Sequence, residues 1–138
     1  LPEWILLSEA RSVEVKYLLE SMSTGTHCLT TLHTDDVRKI PDRIKNMMPT
    51  INEQTENDIY SFINVGIQVR SYIMDEGIQR KIAQIALFSR DLMTGKNTMT
   101  MLYNEGAYGD DPFPDEILWK FASAGIDPRK NYPGVLTR

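Results

Sequence analysis

Two short apolar segments separated by one helix-length stretch constrain the fold of this chain more than any other feature. Trp4-Ile5-Leu6-Leu7 is an apolar run of strand length, of the kind buried on both faces of a sheet. Ser12 is placed to cap a following helix, and Glu14 suits the positive end of that helix's dipole. Val15, Leu18, Leu19 and Met22 fall at i, i+3, i+4 and i+7, one apolar stripe. Gly25 is a C-terminal stop, and His27 to Leu32, rich in Thr and apolar residues, reads as a second strand. Strand, helix and strand within about 30 residues predict a βαβ unit with parallel strands and a right-handed crossover. Both strands then end at one edge of the sheet. Glu9 and His33, each just past a strand, are therefore expected on the same side, the edge at which open α/β sheets bind ligands.

The remainder of the chain changes character. A second helix is expected with Asp35 or Asp36 as cap and Val37, Ile40, Ile44, Met47 and Met48 on one side. Pro41 sits badly in a helix interior, so a kink or a helix start is expected there. Thr55 to Ile63 reads as a third helix, with Thr55 and Asp58 spaced much like a capping box. Three strand candidates follow, Val65 to Ile73, Ile78 to Phe88 and Thr98 to Tyr103. Asp75-Glu76-Gly77 and Thr94-Gly95-Lys96-Asn97 between them are turn sequences, so the segment predicts an antiparallel meander. A last helix, Asp115 to Ala124, places Ile117, Leu118, Phe121 and Ala122 inward and stops at Gly125. The tail to Arg138, with Pro128 and Pro133, reads as irregular.

Composition sets bounds on function. A chain of 138 residues is about one domain long. Its net charge of −4, with acids and bases interspersed, lacks the clustered Lys and Arg of a nucleic-acid surface, so direct nucleic-acid binding is not expected. Cys28 is the only cysteine, which rules out an intramolecular disulfide and fits a reducing compartment. No apolar run approaches the roughly 18 to 20 residues that span a bilayer. The opening Leu1-Pro2-Glu3-Trp4, without an initiator Met, reads as a chain cut from a longer protein.

Few residues are candidates for chemistry. A carboxylate just after a buried strand, as Glu9 is, is how nucleotide hydrolases place a metal-organising acid or a water-activating base. By itself Glu9 reads first as a surface carboxylate at a strand end, paired with Arg11 or Lys16. His33 ends a strand beside hydroxyls and ahead of a helix N-terminus, where it could reach a phosphate or simply pack against the sheet edge. His27 begins its strand at the opposite edge and reads as structural. His27, Cys28 and His33 lack a fourth ligand at zinc-site spacing. Gly95-Lys96 is no phosphate loop: no Gly stands five residues earlier, and Asn97 replaces the hydroxyl residue.

Ile5 to Glu14 resembles the Walker B segment of the type II and type IV secretion ATPases, which run apolar strand, Gly-Glu, one residue, Arg, two residues, Glu. Thr24 to Thr34 resembles that family's His box, with its Thr-Gly start and Thr-x-His ending. Arg43 falls where the family commonly carries an Arg in the next helix. Gln68-Val69-Arg70, Gly77 and Arg80-Lys81-Ile82-Ala83 are similar to the meander of the branch that drives tight-adherence pili. The likeness runs from Pro2 to Leu87. Ser8 stands where the family has Gly, and Thr26 where it has a His directly after Thr-Gly. His27 is one residue too late to inherit that role, since one step along a strand reverses the face.

This resemblance implies a partial RecA-like P-loop ATPase core of class α/β, a parallel βαβ followed by a helix, an antiparallel meander and a C-terminal helix. Residues 1–50 would carry the Walker B and His boxes and 51–138 the rest, with the N-terminal domain and phosphate loop outside. It implies that Glu9 activates or orients the attacking water, touching Mg²⁺ at most through water, and that His33 senses the terminal phosphate. Arg11, Glu14 and Arg43 would shape the nucleotide site. The implied parent is a cytoplasmic homo-hexamer on the inner membrane. It would use ATP and Mg²⁺ to drive pilus assembly or secretion with platform proteins. The fragment alone is expected to be inactive, with no tightly bound cofactor. Two alternatives stand beside it. One is a RecA-like DNA translocase lobe, whose Walker B more often has an Asp before the Glu. The other is a non-catalytic adaptor on the same scaffold.

Overall fold

A computed structural model describes residues 3–131. It is a mixed α/β structure with two sheets, a parallel pair and an antiparallel sheet of four strands. In the first part β1 (Trp4–Leu7), α1 (Glu14–Ser23) and β2 (His27–Thr30) form the expected βαβ unit. The strands pair in parallel, Trp4 opposite His27 through Leu7 opposite Thr30. Gly25, at φ +97°, provides the left-handed residue that ends the α1 turn. A 3₁₀ turn (Val37–Lys39) leads into α2 (Ile40–Met47), and Pro41 sits in its first turn, where a missing N–H costs no hydrogen bond.

The meander follows α3 (Glu53–Phe62): β3 (Val65–Met74), β4 (Gly77–Arg90) and β5 (Asn97–Asn104) pair antiparallel in sequence order. A two-residue strand, β6 (Ala107–Tyr108), adds to β5. The described residues end in α4 (Asp115–Ser123) and a single turn, α5 (Pro128–Asn131), where the start of an irregular tail was expected. The rest of that tail lies outside the described residues.

One core holds the elements together. Val15 and Leu19 of α1, Ile40, Ile44 and Met47 of α2, Ile59 of α3, and Ala86 and Phe88 of β4 form a single buried cluster. Tyr60 packs edge-on to Phe88, with ring centroids 5.9 Å apart. Gly66 leaves room for a close approach of α2 to β3. A Cβ there would lie 2.5 Å from Ile40 Cδ1 and 3.1 Å from the Phe88 ring, so the Ile40 side chain would have to shift for α2 to pack on β3.

Several local expectations are corrected. The N-terminus of α1 is not capped by Ser12; the Glu14 carboxylate instead accepts hydrogen bonds from the Arg11 and Ser12 N–H groups, at 2.7 and 3.1 Å. At α3 the cap is Asn52, whose side chain accepts from Thr55 N–H while Thr55 Oγ1 accepts from Asn52 N–H. The box is therefore three residues earlier than Thr55 and Asp58 suggest. Ala122 on α4 is exposed rather than inward.

The largest correction concerns β1. It is not buried on both faces: Trp4 is 57% exposed and Leu6 72%, with Leu29 of β2 beside them at 64%. Helices cover only the face of the parallel pair that carries Leu7, so alternate side chains look away from the core.

Candidate functional site

Glu9 and His33 meet. Beyond β1 and β2 the two chains stay aligned, because Ala10 N–H donates to Thr31 O at 2.7 Å and Thr31 Oγ1 donates to Ser8 O at 2.6 Å. That alignment brings His33 Nε2 to 2.9 Å from Glu9 Oε1. The other carboxylate oxygen, Oε2, accepts from Arg11 Nη2 at 2.6 Å. Glu9 is thus held from both sides, by a partner from its own loop and one from the neighbouring strand's loop.

The electrostatics follow from that geometry. The Arg11 guanidinium holds the Glu9 carboxyl below its ordinary pKa, partial desolvation opposes this, and His33 adds to the lowering. Glu9 raises the pKa of Arg11 in turn. Glu14 is also held low, chiefly by the hydrogen bond from the Arg11 backbone. A carboxylate so stabilised is fully ionised at neutral pH but is a poor proton acceptor while both partners stay in place. The His33 side chain is 88% exposed and that of Arg11 75%, against 21% for Glu9. Both partners are thus more exposed than the carboxylate between them and have room to turn toward a ligand.

The other candidates fall elsewhere. Arg43 is exposed on α2, and among the described residues no hydrogen bond or ion pair joins it to Glu9 or His33. His27 lies on the outward face of β2, its ring 5.0 Å from that of Trp4, away from Glu9. Gly95 and Lys96 belong to a tight turn in which Asp91 accepts from Met93 and Thr94 N–H groups. Among the described residues, no three His, Cys, Asp or Glu side chains gather as a metal site.

Motif reasoning missed the residues that position His33. The loop 33–36 is clamped by the meander at three successive residues. Gln68 Nε2 donates to Thr34 O at 3.3 Å, Arg70 Nη2 to Asp35 O at 3.0 Å, and Gln84 Nε2 to Asp36 Oδ2 at 3.2 Å. Arg70 is itself paired with Glu105, which also accepts from the Tyr72 hydroxyl. Asp36 caps the 3₁₀ turn and is held well below the usual carboxylate range, first by Arg38, whose guanidinium it accepts through both oxygens. These partners are separated from the loop by 34 to 48 residues, and no local pattern announces them.

The comparisons with known proteins are sparse. No family model matches the chain. It is similar to an uncharacterized protein, pXO2-25, of Bacillus anthracis, with 30% identity over 77 residues. The match covers 53% of this chain but 18% of that relative, so the chain corresponds to less than a fifth of the relative's length.

Proposed function

We propose that this chain is the Walker B and His-box portion of a RecA-like motor ATPase of the secretion and pilus-assembly type. The observation that carries the reading is the Glu9–His33 contact at 2.9 Å, formed at the shared carboxyl edge of two parallel strands. A carboxylate, an imidazole and a guanidinium at one exposed edge fit the terminal phosphate of a nucleotide and the water that attacks it. Bound ATP and Mg²⁺ supply the phosphoanhydride and the neutralising charge. Residues to hold the inner phosphates are not in this sequence, which has no G-x-x-x-x-G-K-[ST]. They are assigned to a further part of the parent.

The chain's own residues then have distinct tasks. Arg11 and His33 turn from Glu9 toward the phosphate. The loss of both partners raises the basicity of the Glu9 carboxylate, which orients water and takes its proton. The clamp from Gln68, Arg70 and Gln84 keeps the His33 loop at the sheet edge during this exchange. The assignment extends to a homo-hexameric, cytoplasmic motor working with inner-membrane platform proteins.

The test is ATP hydrolysis by the parent polypeptide with Mg²⁺, compared with residues 1–138 alone. Turnover by the parent and none by the 138-residue chain is expected. A parent that carries no phosphate loop and does not bind ATP overturns the reading in favour of an adaptor.

A further inference from the structure

Among the described residues, Glu105 is the one residue other than glycine with a left-handed backbone, at φ +48°. It and Gly106, at φ +92°, are the two residues between β5 and β6, where Asn104 pairs with Ala107. A two-residue hairpin loop with positive φ at both positions favours Asn, Asp or Gly at the first of them. Glu lacks the short side chain that makes this conformation tolerable for Asn and Asp. A residue held against its backbone preference points to a task beyond the turn itself.

The task shows in what the carboxylate reaches. The turn is anchored at the β4 bulge, where Glu105 N–H donates to Ala83 O at 2.8 Å. From there the side chain crosses β4, the middle neighbour, to β3. Its carboxylate accepts from Arg70 Nη1 and, at 2.9 Å, from the Tyr72 hydroxyl, two side chains on one face of β3. The other terminal nitrogen of Arg70, Nη2, donates to Asp35 O at 3.0 Å, two residues past His33. One guanidinium therefore joins the turn to the His33 loop. Stability does not account for this arrangement. The Arg70 and Glu105 side chains are 38% and 43% exposed, and ion pairs so exposed add little to folding. What the pair fixes is geometry. A guanidinium is a planar fork, so holding one nitrogen on a carboxylate sets where the other can point. Without Glu105 the fork is free to turn into water, and the Asp35 carbonyl loses its donor.

We infer that Glu105 is a positioning residue of the Glu9–His33 site, setting through Arg70 and the Asp35 carbonyl where the His33 loop stands. Glu105 touches neither Glu9 nor His33 and acts only through that guanidinium. The inference deepens the nucleotide reading and rests on it for the effect on turnover. The effect on the loop needs no nucleotide, so the two can fail separately.

The experiment uses three variants of the parent polypeptide. Glu105→Asn and Glu105→Gly both suit the left-handed turn and remove the carboxylate, so the turn is kept while the tie to Arg70 is lost. Arg70→Met removes the tie from its other end. Hydrogen exchange is followed by peptide without nucleotide, and ATP hydrolysis at steady state. The amides of residues 36–39, bonded just behind the clamp, should exchange at least about threefold faster in each variant, while those of 103–109 keep their rates in the two Glu105 variants. Turnover should fall about tenfold or more with KM for ATP within about twofold, as when a group is displaced without losing substrate contacts. Arg70→Met should add nothing to Glu105→Asn, since both break one connection. A residue that only shapes its turn gives the reverse, with exchange at 36–39 unchanged, and that result overturns the inference. So does faster exchange there with unaltered kcat in an active parent, or a rise in KM alone. A wild-type parent that does not hydrolyse ATP sinks the nucleotide reading, and exchange at 36–39 then decides by itself whether Glu105 positions the loop.

Discussion

The buried amide of Gln84 holds the backbone of Val37 across 47 residues of sequence, its Oε1 accepting the Val37 N–H at 2.9 Å. The same side chain donates to Asp36 Oδ2 and Asn104 Oδ1, so its amide nitrogen and its carbonyl oxygen are both engaged. One residue of β4 thereby ties the His33 loop, the 3₁₀ turn and β5 together. A bulge at Ala83 precedes Gln84 in β4.

Gln84→Met keeps the volume and removes all three bonds. Leaving the Val37 N–H unpaired should destabilise the chain by about 1–3 kcal/mol, read as a lower urea midpoint with unchanged slope. Gln84→Glu restores the acceptor for Val37 but places a second carboxylate against Asp36 in a buried site. Its pKa in the folded state should rise above the unfolded value. That variant should be nearest wild type at low pH and lose stability as pH rises through the folded pKa.

Asp36 makes the opposite pH prediction. Its pKa is depressed in the folded state, first by Arg38. A depressed carboxylate contributes stability that is present above its unfolded pKa of about 3.9 and is lost as pH falls toward the folded value. Urea midpoints should therefore decline below about pH 4, and Asp36→Asn should flatten that decline while lowering the neutral-pH midpoint. An acid limb of undiminished slope in Asp36→Asn would assign the loss to other carboxylates.

Gly66→Ala tests the packing of α2 on β3. The added methyl group meets Ile40 Cδ1 at 2.5 Å and the Phe88 ring at 3.1 Å. The Ile40 side chain can shift but the ring is fully buried, so a cost of about 1–3 kcal/mol is expected. Thermal unfolding measures it. Combining it with Ile40→Val should recover part of the loss, since that change removes the closer atom.

In the parent, Glu9→Gln should lower steady-state ATP turnover by about 10²- to 10⁴-fold while ATP affinity is retained. The amide keeps the size and still accepts from Arg11, so the arrangement survives without its base. Glu14→Gln is the control. Glu14 caps the first turn of α1 through accepted hydrogen bonds, and an amide oxygen serves there nearly as well. Near-normal turnover in Glu9→Gln would return Glu9 to a surface ion pair.

Local chemistry was enough to read the βαβ unit from the sequence. The stripe Val15, Leu18, Leu19 and Met22, the stop at Gly25 and the turn residues of the meander act within a few positions of one another, through dihedral preference and side-chain period. Parallel strands follow from that order, and with them the placing of Glu9 and His33 at one edge. Strands β3 to β5 were legible for the same reason, to within two residues at each end. The cap at Asn52, the clamp on residues 33–36 and the exposed outer face of β1 were not. A cap depends on which residue has already left the helix, and the clamp on a strand register shifted by a bulge. Apolar runs such as Trp4 to Leu7 state that both faces avoid water but not what covers them. Only the tertiary arrangement shows one face against α-helices and the other without a cover among the described residues, because burial is a property of what packs on a strand and not of the strand.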